Sequence, residues 1–118
     1  MKLTPAPFKV RSEQETGVFV ILVEGELDMN TAADLERELE VPLADPESAL
    51  LIDLSSCEFI DSTGIALIVR SWRQLDGEER FALCGVANQV ERVLDITGLD
   101  AAIPSHPNRE AALSQLRR

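Results

Sequence analysis

The chain has little of what most reactive motifs are made from: two lysines, one histidine and two cysteines in 118 residues. Cys57 and Cys84 are separated by 26 residues with no histidine cluster near either, so no metal or redox motif is formed. Cys84 lies in the apolar run Phe81-Ala82-Leu83-Cys84, the ordinary place for a small buried thiol, and reduced thiols suit the cytoplasm. Cys57, nearer the most polar loop, is the thiol open to oxidation. Long hydrophobic runs are also missing. The longest, Val18 to Val23, is far short of the ~20 residues of a membrane span. Met1-Lys2-Leu3-Thr4-Pro5 lacks the apolar stretch of a secretory signal, so the cytoplasm is the expected compartment. Positive charge is scarce too. Eleven basic residues against 21 acidic ones leave a net charge of −10, which repels phosphate backbones and anionic membranes and removes nucleic acid as an expected partner.

What is present suits one folded domain over residues 1–118. A mass of 13.0 kDa, 45% hydrophobic and 27% charged residues are enough for a real core. Phe8-Lys9-Val10-Arg11 alternates as an edge strand would, and Gly17 marks a turn into a second strand, Val18–Glu24, apolar on both faces and therefore central. Asn30 or Thr31 is placed to cap a helix with Leu35 and Leu39 inward, limited by Pro42. Ala49–Leu54 reads as a buried strand. A central helix follows from about Ser62 to Leu75, with Asp76-Gly77 as its stop. Arg80–Gly85 makes the next strand, Asn88 caps a third helix carrying Val90, Val93 and Leu94 on one face, and Gly98 suits its end. Ala101–Ile103 offers a short edge strand. Asn108 caps a last helix presenting Leu113 and Leu116, with Arg117 and Arg118 favourable at its negative end.

Strands alternating with helices are the sequence form of parallel βαβ units, to which the initial hairpin adds an antiparallel edge. If sequential strands are neighbours, the helices share one face and the loops after the strands collect at one end. That end brings Asp28 beside the loop Asp61–Gly64.

The run Ile60-Asp61-Ser62-Thr63-Gly64-Ile65 sets two hydroxyls and a glycine between a strand region and an apolar helix. The first N–H groups of a helix have no internal partners and carry partial positive charge, so an added anion such as a phosphate on Ser62 is tolerated there. Helix capping by Asp61, Ser62 and Thr63 is the plain structural reading. A hydrolase elbow needs a glycine two residues before its serine, where Ile60 stands, and a base, for which only His106 in a Pro-flanked turn is available. Asp53, ending an apolar strand, suggests a phospho-aspartate receiver. The extra carboxylates after the first strand and the late lysine of such domains are missing, which leaves Asp53 as a carboxylate bonding nearby loop N–H groups. One glycine and no lysine in Glu58–Gly64 argue against a phosphate-binding loop.

Four blocks, in order and spanning nearly the whole chain, carry a family likeness: Val23-Glu24-Gly25-Glu26-Leu27-Asp28 before an amphipathic helix, the Leu51-to-Leu54 strand, the Phe59-to-Gly64 loop, and Val93-Leu94-Asp95-Ile96-Thr97-Gly98-Leu99. The set resembles the anti-sigma factor antagonists, small bacterial regulators built from a STAS domain. That resemblance implies an α/β STAS fold: a mixed four- to five-stranded sheet with a parallel core, an antiparallel N-terminal edge strand and about four helices. It implies phosphorylation at Ser62 and a partner-binding face made by Asp28, Asp61, Ser62, Thr63 and Gly64. The implied partners are an anti-sigma factor with serine kinase activity, whose capture frees a sigma factor for transcription, and a metal-dependent serine phosphatase. No enzymatic activity, cofactor or metal of its own is expected. The alternative within the family is a stand-alone STAS scaffold subunit of a transport or stress-signalling complex.

Overall fold

A computed structural model of the chain describes residues 7–75, 79–98 and 102–116. In chain order the elements are β1 (Lys9–Glu15), β2 (Val18–Leu27), α1 (Ala32–Ala44), β3 (Ala49–Ile60), α2 (Ser62–Gln74), β4 (Phe81–Cys84), α3 (Asn88–Thr97), β5 (Ser105–His106) and α4 (Arg109–Gln115). The strands form one sheet in the order β1-β2-β3-β4-β5, antiparallel between β1 and β2 and parallel thereafter. The hairpin closes on Thr16 and Gly17, both with positive φ (48° and 83°). Such two-residue turns match the right-handed twist of the strands they join.

Both faces of β2 are buried, as its unbroken apolar run requires. Phe19, Ile21, Val23 and Leu27 join Leu50, Ile52 and Leu54 of β3 in the main core, covered by Leu35 and Leu39 of α1, Ile65 and Ile68 of α2, and Val90 and Leu94 of α3. The other face carries Val18, Val20, Ala49, Leu51, Ala82 and Cys84, covered by Ala112 and Leu116. The expectation that the helices share one face therefore holds for α1 to α3 and fails for α4. The crossover rule governs helices linking parallel strands; α4 follows the last strand and is free to cover the face the others leave open.

Several boundaries differ from the sequence reading; β1 extends to Glu15 and β2 to Leu27, beyond the Arg11 and Glu24 read from the sequence. β3 runs to Ile60, not Leu54, because its pairing with β2 shifts register twice, between Leu22 and Glu24 and between Gly25 and Glu26. Each shift inserts an extra β3 residue, so the period of two breaks and Ser55-Ser56-Cys57-Glu58 looks like a loop although it is paired strand. Helix α1 continues past Pro42 to Ala44; the proline forfeits the one hydrogen bond its own N–H would donate, but its ring is buried and its carbonyl accepts from Ser48 Oγ at 3.1 Å. Asn88 is the first residue of α3 and Ala87 holds the capping position. The edge strand expected at Ala101–Ile103 falls instead on Ser105–His106, where Gly85 N–H donates to His106 O and Leu83 N–H to Pro104 O, while Ile103 turns into the core. The Asp76-Gly77 stop, Leu99, Ala101 and the two terminal arginines lie outside the described residues.

Two further caps follow the sequence. Asn108 Oδ1 accepts from Ala111 N–H at 2.9 Å to start α4, and Gly98 ends α3 in the left-handed conformation at φ 79°.

Candidate functional site: the loop ends of β2 and β3

Because β2 and β3 are parallel neighbours, with Leu27 opposite Ile60, the chain leaves both strands at the same end of the sheet. Asp61 follows Ile60 directly and ties the two exits together. Its backbone N–H donates to Leu27 O at 3.1 Å. Its Oδ1 accepts from the N–H groups of Thr63 (2.9 Å) and Gly64 (3.1 Å), capping α2, and its Oδ2 accepts from Met29 N–H at 3.2 Å in the neighbouring loop. One carboxylate thus serves as helix cap and as strut between loops.

Asp28 organises the second loop in a similar way. Its Oδ1 accepts from Asn30 N–H (2.9 Å) and Thr31 N–H (3.2 Å). Thr31 occupies the capping position of α1 but its hydroxyl makes no cap; it donates back to Glu26 O at 2.8 Å. The loop is therefore shaped by its own side chains before any ligand arrives.

Ser62 and Thr63, the first two residues of α2, are exposed, and neither hydroxyl is hydrogen-bonded among the described residues. Gly64 is different. It is buried, and a Cβ there would lie 2.7 Å from Ile60 Cγ1 and 2.8 Å from Leu27 Cγ. Its smallness lets α2 sit down on the ends of β2 and β3, facing inward. The structure thus gathers Asp28, Asp61, Ser62 and Thr63 at one surface and puts Gly64 beneath it. Met29, 74% exposed, and Phe59, 47% exposed, add apolar surface to the same two strand ends. Sequence reasoning gave Met29 no role; its position between Asp28 and Asn30 in a turn was the available signal.

Asp61→Ala removes three hydrogen bonds to backbone N–H groups at once. Loss of a cap of this kind, plus an interloop bond, is expected to cost about 1–2 kcal/mol, visible as a lower urea midpoint. Asp61→Asn, which keeps an accepting oxygen, is expected to lose much less.

A STAS domain family model matches residues 9–112. The chain belongs to the STAS domain family. It is 29% identical over 113 residues to an anti-sigma-F factor antagonist of Mycobacterium tuberculosis, covering 96% of this chain and 93% of that one. It is 33% identical over 92 residues to an anti-sigma-B factor antagonist of Listeria monocytogenes, covering 77% and 81%. The solved structure of an anti-sigma factor antagonist from Mycobacterium paratuberculosis superposes with a TM-score of 0.87 at 34% identity, covering 98% of each chain.

Of the other polar features of this STAS domain, Asp53, Cys84 and His106 lie apart from that end, whereas Cys57 lies beneath it. Asp53 stands inside β3, not at a strand end, and is nearly buried; its Oδ1 accepts from Ser55 N–H (3.0 Å) and Ser55 Oγ (2.6 Å). Arg109 NH2 approaches its Oδ2 at 3.8 Å. Its carboxylate is committed to holding the first bulge of β3. Burial, and then the neighbouring Asp53 carboxylate, push the Cys84 thiol up to about 12. Cys57 is buried, donates to Phe59 O at 3.3 Å and has its thiol raised by burial, so it stays protonated rather than presenting a reactive thiolate. His106 belongs to β5, beyond β4, and shares no hydrogen bond with Ser62. Among the described residues no cluster of three or more His, Cys, Asp or Glu could hold a metal ion, and no helix is long and apolar enough to cross a membrane.

Proposed function

We propose that this chain is an anti-sigma factor antagonist, a cytoplasmic protein-binding switch controlled by phosphorylation at Ser62 and without catalysis of its own. The observation that carries the reading is the placement of Ser62: exposed, unbonded, at the first position of α2, with the Asp61 and Asp28 carboxylates in the adjoining turns. In this reading, the unmodified surface of Asp28, Met29, Asp61, Ser62 and Thr63 docks an anti-sigma factor that is itself a serine kinase. Its capture frees a sigma factor for transcription. The relatives' names support the partner, and the −10 charge argues against direct action on DNA.

Phosphorylation adds roughly −1.5 to −2 charge and three strongly hydrated oxygens. On Ser62 that group stands beside Asp61 and Asp28, so closing a partner over it means desolvating like charges together. Binding is lost. The fold is not, because the start of a helix favours negative charge. A metal-dependent serine phosphatase resets the switch.

Incubation with the cognate kinase and ATP is expected to place one phosphate on the chain, lost in Ser62→Ala and kept in Thr63→Ala. Peptide mapping by mass spectrometry reads the position. A phosphate on Thr63, or none, would overturn the assignment to Ser62.

A further inference from the structure

Strand β1 is the outer strand of the sheet, and among the described residues no strand pairs with its far edge. Its sequence is Lys9-Val10-Arg11-Ser12-Glu13-Gln14-Glu15. The strand period of two puts the four charged side chains on one face, where Arg109 NH1 lies 3.0 Å from Glu13 Oε1 and 3.5 Å from Glu15 Oε2. Val10 points to the opposite face and packs on the main core. Along the charged face the cations come first and the anions second. The strand is therefore neutral in a chain of net charge −10, so a second copy can approach this edge without net repulsion from the strand itself.

Charges on an edge strand ordinarily discourage pairing. Here their order permits it in one register. Directly opposed residues of an antiparallel pair point to the same face, so two copies of β1 related by a twofold axis must be centred on a residue, not between two. Centred on Ser12, Lys9 faces Glu15 of the second copy, Arg11 faces Glu13, and Val10 faces Gln14. Opposite charges across a strand pair stabilise it, and the axis repeats each pair. The neighbouring registers, centred on Arg11 or on Glu13, set like charges against each other on the axis. In the single chain Glu13 is already ion-paired to Arg11 of its own strand at 3.4 Å and, with Glu15, to Arg109; the cross-strand pairs extend this charge network on the same face.

We propose that β1 is a self-complementary edge through which two copies of this chain join into one continuous sheet, in the register centred on Ser12. An axis perpendicular to the sheet points the parallel strands of the two copies in opposite directions. The two Ser62 ends then lie far apart, each open to a partner.

Sedimentation equilibrium of the full chain tests this. The wild-type mass is expected to climb with concentration from 13.0 kDa toward twice that value. Lys9→Glu/Arg11→Glu makes the edge wholly acidic and Glu13→Lys/Glu15→Lys makes it wholly basic. Each is expected to stay monomeric alone, and an equimolar mixture to dimerise; circular dichroism melts report whether each folds. Register is read independently by Ser12→Cys. Cα atoms opposed across an antiparallel pair stand ~4.5–5.5 Å apart, within the ~4.4–6.8 Å a disulfide spans, and Cys57 and Cys84 are buried and do not compete. Mild oxidation is expected to cross-link Ser12→Cys into a dimer and to leave Gln14→Cys monomeric. A wild-type mass that stays at the monomer value, a dimer that survives both charge reversals, or equal cross-linking at the two positions would each overturn the proposal.

Discussion

Ser62→Glu is expected to lower affinity for the anti-sigma factor by at least a hundredfold while leaving the melting temperature almost unchanged. Both halves come from one change at one helix terminus. In the free protein the new carboxylate meets the first turn of α2, where a negative group is worth ~0.3–1 kcal/mol. Asp61 already caps that turn and Asp28 lies in the next loop, so part of the gain is offset by repulsion in water. The sum is small. In the complex the same carboxylate has to be dehydrated beside Asp61, and like charges brought together in a closed interface cost several kcal/mol. At ~1.4 kcal/mol per decade that removes two or more decades of affinity. Calorimetric titration of the anti-sigma factor with wild type and Ser62→Glu, alongside melting curves of both, measures the two halves together. Equal affinities would mean that Ser62 serves only as a helix residue, and would return the chain to a scaffold role.

Gly64→Val is expected to do the reverse, destabilising the fold by about 3 kcal/mol and lowering the melting temperature by about 10 °C. The hydrogen on Gly64 Cα faces Ile60 and Leu27, and even a single Cβ would stand 2.7 Å from Ile60 Cγ1 and 2.8 Å from Leu27 Cγ. Those neighbours are buried at the ends of β3 and β2, so they yield only by pushing α2 off the sheet. Thr63→Val, one residue away but exposed, is the control and is expected to stay within ~0.5 kcal/mol of wild type. Chemical denaturation of the three proteins decides it. A wild-type midpoint for Gly64→Val would show that α2 has room to move outward at its first turn, and that the glycine is there for another reason.

The contrast between Ser62 and Gly64 also shows how far the sequence could be read. The family resemblance placed three residues in a row, Ser62, Thr63 and Gly64, on the expected partner-binding face. Position along the chain cannot separate them; helix geometry does, turning Ser62 and Thr63 outward and Gly64 inward. Asp61 was legible as a cap because capping is local, acting on N–H groups two and three residues ahead. Its bond to Met29, 32 residues away, was not. Asp53 was legible as a carboxylate satisfied by nearby backbone, but not as a mid-strand residue, because the bulges beside it erase the alternation by which strands are recognised.

By itself the sequence determined the order of strands and helices, the hairpin turn at Gly17, the start of α2 near Ser62 and the net charge of −10. These follow from periodicity, caps and charge, which act over a few residues or over the whole composition. Tertiary structure alone decided that α4 covers the second face, that the edge strand beside β4 is Ser105–His106, and that Leu27 and Ile60 leave no space above Gly64. Each of these depends on which distant residues are brought into contact. Burial and close packing reward such contacts only once the sheet exists, and no local signal announces them.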